Sequence, residues 1–169
     1  IVASGKNSSM PHAIPTEKKV EEGDAITIDM GCKYHGYCSD MTRTIFVKYV
    51  PDEIKEIYEL VLKNQRQTIE EMKEGANLKI ICRMVQNDFK LHGYDLIHAL
   101  GHGVGMEIHE LPYMSTRVDL LLKNNMVVTD EPGIYIPNKF GVRIEDTVWI
   151  NKGMATPLTK SPKDYVVVG

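Results

Sequence analysis

The sequence has few cysteines and no long run of apolar residues, and both absences exclude classes of protein. Cys32, Cys38 and Cys82 are odd in number and none forms a C-x-x-C pair, which argues against a disulfide framework and a structural zinc site. The longest apolar runs are as short as a strand, whereas a bilayer span needs ~20 residues. We therefore expect a cytoplasmic protein without a membrane segment.

Neither positive nor negative charge dominates the sequence. The net charge is only -3, the pI is near 6.1, and no basic block could neutralise a phosphate backbone. Nucleic acid is therefore not an expected partner. The length of 169 residues predicts one domain. The first residues, Ile1 to Gly5, have neither an initiator methionine nor a signal peptide, so we expect the middle of a longer chain.

Two predicted hairpins flank a helical region. Polar and apolar residues alternate between Asp24 and Val50, which predicts two strands joined near His35 and Gly36. A second hairpin is predicted from a strand over 127–136, broken by its Pro-Gly pair, and a strand over 141–150.

The predicted helices lie between the hairpins. One begins after Pro51 and ends before Gly75, with apolar residues every three or four positions. The other runs from about Ala76 to His92 and is followed by Gly93. Strands, two helices and then strands again predict an α+β fold.

Two aspartates in the first hairpin suggest a site. Asp29 and Asp40 lie eleven positions apart on adjacent predicted strands, so their carboxylates can meet on one face. Each alone could be a solvated or turn residue. The apolar neighbours of Asp29, however, make an unpaired carboxylate costly there. Its positive partner is either Arg43 or a metal ion.

Two glutamates and a histidine favour the metal ion. Glu131 and Glu145 also lie in predicted strands, and four carboxylates would stay protonated unless a multivalent ion neutralised them. His102 lies in a glycine-rich segment, where it could instead only bond to backbone. With the acids it forms an oxygen and nitrogen set suited to divalent Mn, Co, Fe or Zn. Two metals about 3.5–4 Å apart, as in aminopeptidases, would make the reaction a hydrolysis.

Several motifs around these residues make the sequence recognisable. They are IDMG, SDMTRT, GHGVGMEIHELP, DEPGIY and GVRIED, and they cover most of residues 5–149. The sequence resembles the pita-bread (M24-type) metallopeptidases, which include methionine aminopeptidases, prolidases and Xaa-Pro aminopeptidases. EPGIY and GVRIED are similar to the prolyl-specific branch.

The resemblance implies a ligand set and a reaction. Asp29 would bind one metal, His102 and Glu131 the other, and Asp40 and Glu145 would bridge them. The two divalent ions would be Mn or Co, with Zn or Fe as alternatives. The implied activity is hydrolysis of an Xaa-Pro bond by a metal-bridged hydroxide, on a peptide with proline at its second position.

The resemblance also implies roles around the ligands. Glu131 would carry the proton from the attacking water to the proline nitrogen, and Arg143 would orient Glu145 or another acid. Tyr135 would lie near the substrate, unless it is only a packed strand aromatic. Three histidines would hydrogen-bond the substrate or its oxyanion, unless each is satisfied by backbone: His12, His98 and His109. His35 and His92 match no motif.

The family resemblance leads us to expect a partial molecule. Residues 1–169 would form a catalytic domain that lacks its N-terminal part, including the first helices of the pita-bread fold and any preceding domain. The outer face of the first hairpin would then be an exposed apolar surface. A homodimer is expected only for a longer form. Three other functions stay open: a methionine-aminopeptidase-like enzyme, a non-catalytic peptide- or protein-binding module, and a creatinase-like hydrolase without metal.

Overall fold

The computed structural model describes all 169 residues, with two helices and thirteen strands. The elements before the helices are β1 (Val2–Ser4), a 3-10 turn (Gly5–Ser9), β2 (Ala25–Met30), β3 (Lys33–Tyr34), β4 (Tyr37–Cys38) and β5 (Met41–Val47). The helices are α1 (Asp52–Glu71) and α2 (Leu78–Leu91). The strands after them are β6 (Gly101–Gly103), β7 (Glu110–Met114), β8 (Val127–Asp130), β9 (Gly133–Ile136), β10 (Phe140–Arg143), β11 (Asp146–Asn151), β12 (Met154–Pro157) and β13 (Val167–Val168).

Two larger sheets and two small hairpins make up the β structure. One sheet has the order β1-β2-β5-β13 and the other has the order β12-β11-β8-β6-β7. The pairs β3-β4 and β9-β10 stand apart from them. All pairings are antiparallel except that of β13 with β5.

Both helices form where the sequence predicts them. Helix α1 begins after Pro51 and buries an apolar stripe that includes Ile54, Ile57 and Val61. Helix α2 is capped by Asn77, whose side-chain oxygen accepts the N–H groups of Lys79 and Ile80. Gly75 and Gly93 follow the two helix ends with φ of 85° and 84°, a region that glycine enters without steric cost.

The core lies between the helices and the sheets. Twenty-four buried hydrophobic residues form one cluster, to which both helices and both large sheets contribute. The outward face of the first sheet is less covered: Val2 is 68% exposed and Met30 is 48% exposed. No helix combines the length and apolar character that crossing a membrane requires.

The predicted strand over 141–150 is wrong as a single strand. Instead, β10 pairs with β9, and β11 pairs with β8. Ile144 and Glu145 lie between the two pairings, where the N–H of Glu145 donates to the carbonyl of Thr42 at 3.0 Å. This hydrogen bond attaches the interrupted segment to β5 and so links the two sheets at Glu145.

Candidate metal centre

The two aspartates predicted for the site flank the end of the first hairpin. Asp29 lies opposite Thr42 in the β2-β5 register, and its side chain is 25% exposed. Asp40 immediately precedes β5 rather than lying within it, and its side chain is 11% exposed. Asp29 is thus less buried than its apolar neighbours in the sequence suggest, because it lies near the open end of the strand.

His102 comes from the second sheet and faces the aspartates. Its Nδ1 lies 2.9 Å from the carbonyl oxygen of Gly103. Because a carbonyl only accepts, this nitrogen carries the proton and Nε2 is left with a free lone pair. Nε2 lies 3.6 Å from Asp40 Oδ2 and 3.4 Å from Glu131 Oε1, which is the orientation of a metal-ligating imidazole.

The glutamates reach the same place from breaks in two strands. Glu131 follows β8, and Glu145 lies between β10 and β11. Ligand atoms of Asp40, His102 and Glu145 all lie within 4.8 Å of one another, and all three residues are buried. The structure therefore brings four of the five predicted ligands into one cluster. The fifth, Asp29, points its Oδ2 at Arg143 Nη2, 2.7 Å away.

All five predicted ligands line one cavity of about 590 Å³. The same cavity is lined by His12, His98, His109 and Arg143. Tyr135 is not among the lining residues, because its hydroxyl lies behind them, 2.8 Å from Arg143 Nη1 and 3.0 Å from His98 Nε2. Tyr135 thus lies one layer behind the cavity wall, and its role near a substrate stays a prediction.

The buried acids lack matching positive charge. Burial and then the negative charge of Asp29 raise the pKa of Asp40 to about 6. Burial also raises the pKa of Glu131 to about 7, although Arg143 opposes this change. Burial, followed by the charges of Glu131 and Asp40, raises the pKa of Glu145 well above its usual value. Such an excess of buried oxygen ligands fits divalent cations.

Arg143, and not Arg43, is the guanidinium of this site. Arg143 is 3% exposed, and besides Asp29 and Tyr135 it contacts Thr42 Oγ1, 3.1 Å from its Nε. Arg43 lies on the other face of β5 and pairs with Asp146 at 2.7 Å. Arg43, one of the two candidate partners of the predicted ligands, therefore does not pair with their carboxylates, and the metal ion stays a prediction. Adjacent strand residues face opposite sides, and Thr42 is the residue directly opposite Asp29.

Two threonines support the ligands and were missed by the motif comparison. Thr42 donates to Glu145 Oε2 at 2.6 Å, so Arg143 reaches Glu145 only through this hydroxyl. Thr129 Oγ1 accepts the N–H of His102 at 3.0 Å and lies 3.3 Å from Glu131 Oε1. Each threonine stands two positions from a predicted ligand, Thr42 from Asp40 and Thr129 from Glu131, and this spacing was the available signal.

The histidines around the ligands differ in how firmly hydrogen bonds hold their rings. His98 Nδ1 lies 2.7 Å from the carbonyl oxygen of Ala99 and its Nε2 bonds to Tyr135, while burial lowers its pKa to about 4. His109 packs edge-on against His102, with ring centroids 4.4 Å apart. His12 lines the cavity. His98 is therefore the one whose ring is held by the protein on both sides.

Known proteins resemble this chain closely. An Xaa-Pro dipeptidase of Pyrococcus furiosus is 46% identical over 168 residues, which are 98% of this chain and 48% of that protein. A prolidase structure from Thermococcus sibiricus superposes with a TM-score of 0.97 at 39% identity, covering 99% of this chain and 46% of the other. An X-Pro aminopeptidase structure from Thermotoga maritima superposes with a TM-score of 0.95 at 40% identity, covering 99% of this chain and 48% of the other.

The chain spans about half the length of the curated relatives it matches. These structural matches confirm the predicted α+β pita-bread fold. Residues 1–152 match the metallopeptidase family M24. This match covers most of the sequence, and the chain therefore belongs to metallopeptidase family M24.

Proposed function

We propose that the protein containing this chain is a metal-dependent exopeptidase that hydrolyses Xaa-Pro peptide bonds. The observation that carries the proposal is the convergence of His102, two buried carboxylates, Asp40 and Glu145, and the partly buried Glu131 in one cavity. Relatives named as an Xaa-Pro dipeptidase and as a putative Xaa-Pro aminopeptidase support the proline-directed substrate.

Five residues would hold two divalent ions, with Mn or Co expected ahead of Zn or Fe. Asp29 would leave its contact with Arg143 in part to join the set, since Arg143 keeps other acceptors. Bound there, the ions would supply a water that ionises near neutral pH and a Lewis acid for the scissile carbonyl. The proposed set is Asp29, Asp40, His102, Glu131 and Glu145.

The chain's own residues would move the proton and hold the substrate. Glu131 would take a proton as the water oxygen bonds to the carbonyl carbon. It would then deliver that proton to the proline nitrogen as the carbon–nitrogen bond breaks. His12 and His109 line the cavity and make no side-chain hydrogen bond within the chain, so either can donate to the developing oxyanion. Arg143 would keep Asp29 and Thr42 in place.

Substrate panels test this function. Ala-Pro, Ala-Pro-Phe and Met-Ala-Ser should be compared with Mn or Co present, and we expect cleavage only at the bonds that precede proline. Preference for Ala-Pro over Ala-Pro-Phe would assign a prolidase, and the reverse preference an aminopeptidase. Cleavage of Met-Ala-Ser alone would overturn the proline-directed proposal in favour of a methionine-aminopeptidase-like enzyme.

Metal content tests the binding-module alternative. A complete ligand set should hold two equivalents of Mn or Co at saturation. Fewer than one equivalent, with no hydrolysis of any of the three peptides, would favour a non-catalytic peptide-binding module. Hydrolysis that persists in the metal-free protein would instead favour a creatinase-like reaction.

A further inference from the structure

The cavity wall contains one flexible cation that the proposed mechanism does not use. Lys33, on β3, lines the cavity, and its side chain is 53% exposed. Its ion-pair partner is Glu107, whose carboxylate is 77% exposed and lies 3.9 Å from Lys33 Nζ. An ion pair this long and this exposed contributes little, so the ammonium group is available to a ligand.

The backbone that carries Lys33 is better fixed than its side chain. Lys33 lies opposite Cys38 in the β3-β4 hairpin. The N–H of Cys38 donates to the carbonyl of Gly105 at 2.7 Å, and this bond attaches the hairpin to the loop that also carries His109. Lys33 therefore extends from a defined part of the wall.

The other cationic side chains of the cavity are already engaged. Arg143 donates to Thr42, Tyr135 and Asp29, and also to the carbonyl oxygen of Pro11 at 3.2 Å. His98 has hydrogen-bond partners at both ring nitrogens. His12 and His109 carry a full positive charge only when protonated, whereas a lysine is charged at neutral pH. Lys33 is the remaining side chain of the lining that is permanently cationic.

A dipeptide substrate needs such a group. The carboxylate of an Xaa-Pro dipeptide is one carbon away from the nitrogen of the scissile bond, so it must enter the cavity with that bond. The predicted ligands give the cavity four acidic side chains, whose charge two divalent ions would only balance, so the ions leave no excess positive charge for the substrate's carboxylate. We infer that Lys33 forms a carboxylate subsite that binds the free C-terminus of an Xaa-Pro dipeptide, an inference that rests on the proposed function.

Removal of the ammonium group tests the subsite. In the natural protein loaded with Mn or Co, KM and kcat should be measured for Ala-Pro and for its C-terminal amide, which lacks the carboxylate. Lys33→Met should raise KM for Ala-Pro on the order of tenfold, as expected for loss of a partly exposed charged hydrogen bond, with little change in kcat. KM for the amide should not change, and Lys33→Arg should retain the preference for Ala-Pro.

Ionic strength and a control variant test whether the charge of Lys33, rather than the shape of its side chain, binds the carboxylate. Raising the ionic strength should raise KM for Ala-Pro in the wild type but not in Lys33→Met. Lys90→Met, on the exposed side of α2, should behave as the wild type with both substrates. Thermal unfolding should show that Lys33→Met remains folded, since the side chain that it replaces is half exposed.

The outcomes distinguish this inference from the proposed function. Equal effects of Lys33→Met on Ala-Pro and its amide, or no effect on either, would overturn the carboxylate subsite and leave the enzyme assignment intact. A wild type that prefers the amide would do the same. A wild type that hydrolyses neither substrate would overturn both the Xaa-Pro activity and the subsite that depends on it.

Discussion

Asp130 and Asp146 lie directly opposite each other on β8 and β11, and valine at each position should change stability in opposite directions. Asp130 is fully buried, and neither of its carboxylate oxygens has a hydrogen-bond partner within the chain. Asp146 is also buried, but its carboxylate accepts from four side chains: Arg43, Thr159, Gln65 and Lys163.

The size of the Asp130 effect follows from its two unpaired oxygens. A buried polar group without a partner costs ~1–3 kcal/mol, so we expect Asp130→Val to raise the free energy of unfolding by about 2 kcal/mol or more. For a chain of this size, that corresponds to an increase in Tm of roughly 4–8 °C. Valine suits the position because it is close to aspartate in volume and favours a strand.

Asp146→Val is the matched variant, and we expect it to lower the free energy of unfolding. It would leave the buried Arg43 and the partly buried Lys163 without their counter-charge. Breaking a buried ion pair costs about 3–5 kcal/mol. Asp130→Asn adds a second comparison, since it removes the charge and keeps the polarity. The increase in the free energy of unfolding for Asp130→Asn should lie between zero and the increase for Asp130→Val.

The increase in stability of Asp130→Val should also depend on pH. Burial and the negative charge of Asp146 raise the pKa of Asp130 well above its usual value, so folded Asp130 keeps a proton that the unfolded chain releases. Wild-type stability therefore falls as pH rises above the unfolded pKa. Asp130→Val has no such loss, and its advantage should be larger at pH 8 than at pH 5.

Denaturant titrations and calorimetric melts of the metal-free protein at both pH values would measure these differences. A loss of more than 1 kcal/mol in Asp130→Val at pH 8 would refute the reasoning. So would a change of the same sign in Asp130→Val and Asp146→Val, because the contrast between unpaired and paired carboxylates would then not determine the outcome.

Three further predictions concern the site. Asp40→Asn should reduce the Mn or Co bound at saturation to one equivalent or less and should lower peptide hydrolysis more than tenfold. The control variant Asp95→Asn, at an exposed position, should change neither quantity. If Asp40→Asn kept activity within tenfold of wild type, Asp40 would not belong to the ligand set. In the metal-free protein, the pKa values of Asp40 and Glu131 are raised to about 6 and about 7, so the folded carboxyls keep protons that the unfolded ones release. Denaturation curves should therefore show that stability falls as the pH rises from about 4 to 7, the range in which these two carboxyls contribute. A slope of the opposite sign would contradict this. Gly101→Ala should lower Tm by several degrees, since a Cβ there would lie 2.0 Å from the backbone oxygen of Thr129; an unchanged Tm would show that β8 can move aside.

Local features of the structure could be predicted from the sequence. The helices α1 and α2 and the hairpin of β2 with β5 follow from the spacing of apolar residues, which depends only on neighbours along the chain. The membership in the M24 family follows from motifs of similarly local extent. The roles of the five predicted ligands stay predictions, although the structure places all of them around one cavity.

Contacts between distant segments could not be predicted in this way. Which arginine contacts the predicted ligands depends on the packing of strands: Arg143 of β10 faces Asp29, while Arg43 of β5 faces Asp146. The break at Ile144 and Glu145 depends on a hydrogen bond to Thr42, a residue about a hundred positions away. The hydrogen bonds of the Tyr135 hydroxyl with Arg143 and His98 likewise form only when separate strands pack together.

The sequence by itself determined the residue types of the site and the elements that carry them, because both are properties of short segments. Only the tertiary structure decided which carboxylates share a cluster and which has its own cation: Asp40, Glu131 and Glu145 gather at His102, while Asp29 contacts Arg143. It also decided which aspartate, Asp130, is buried without a partner. These outcomes depend on strand register and on burial, and both arise only when segments far apart in the chain pack together.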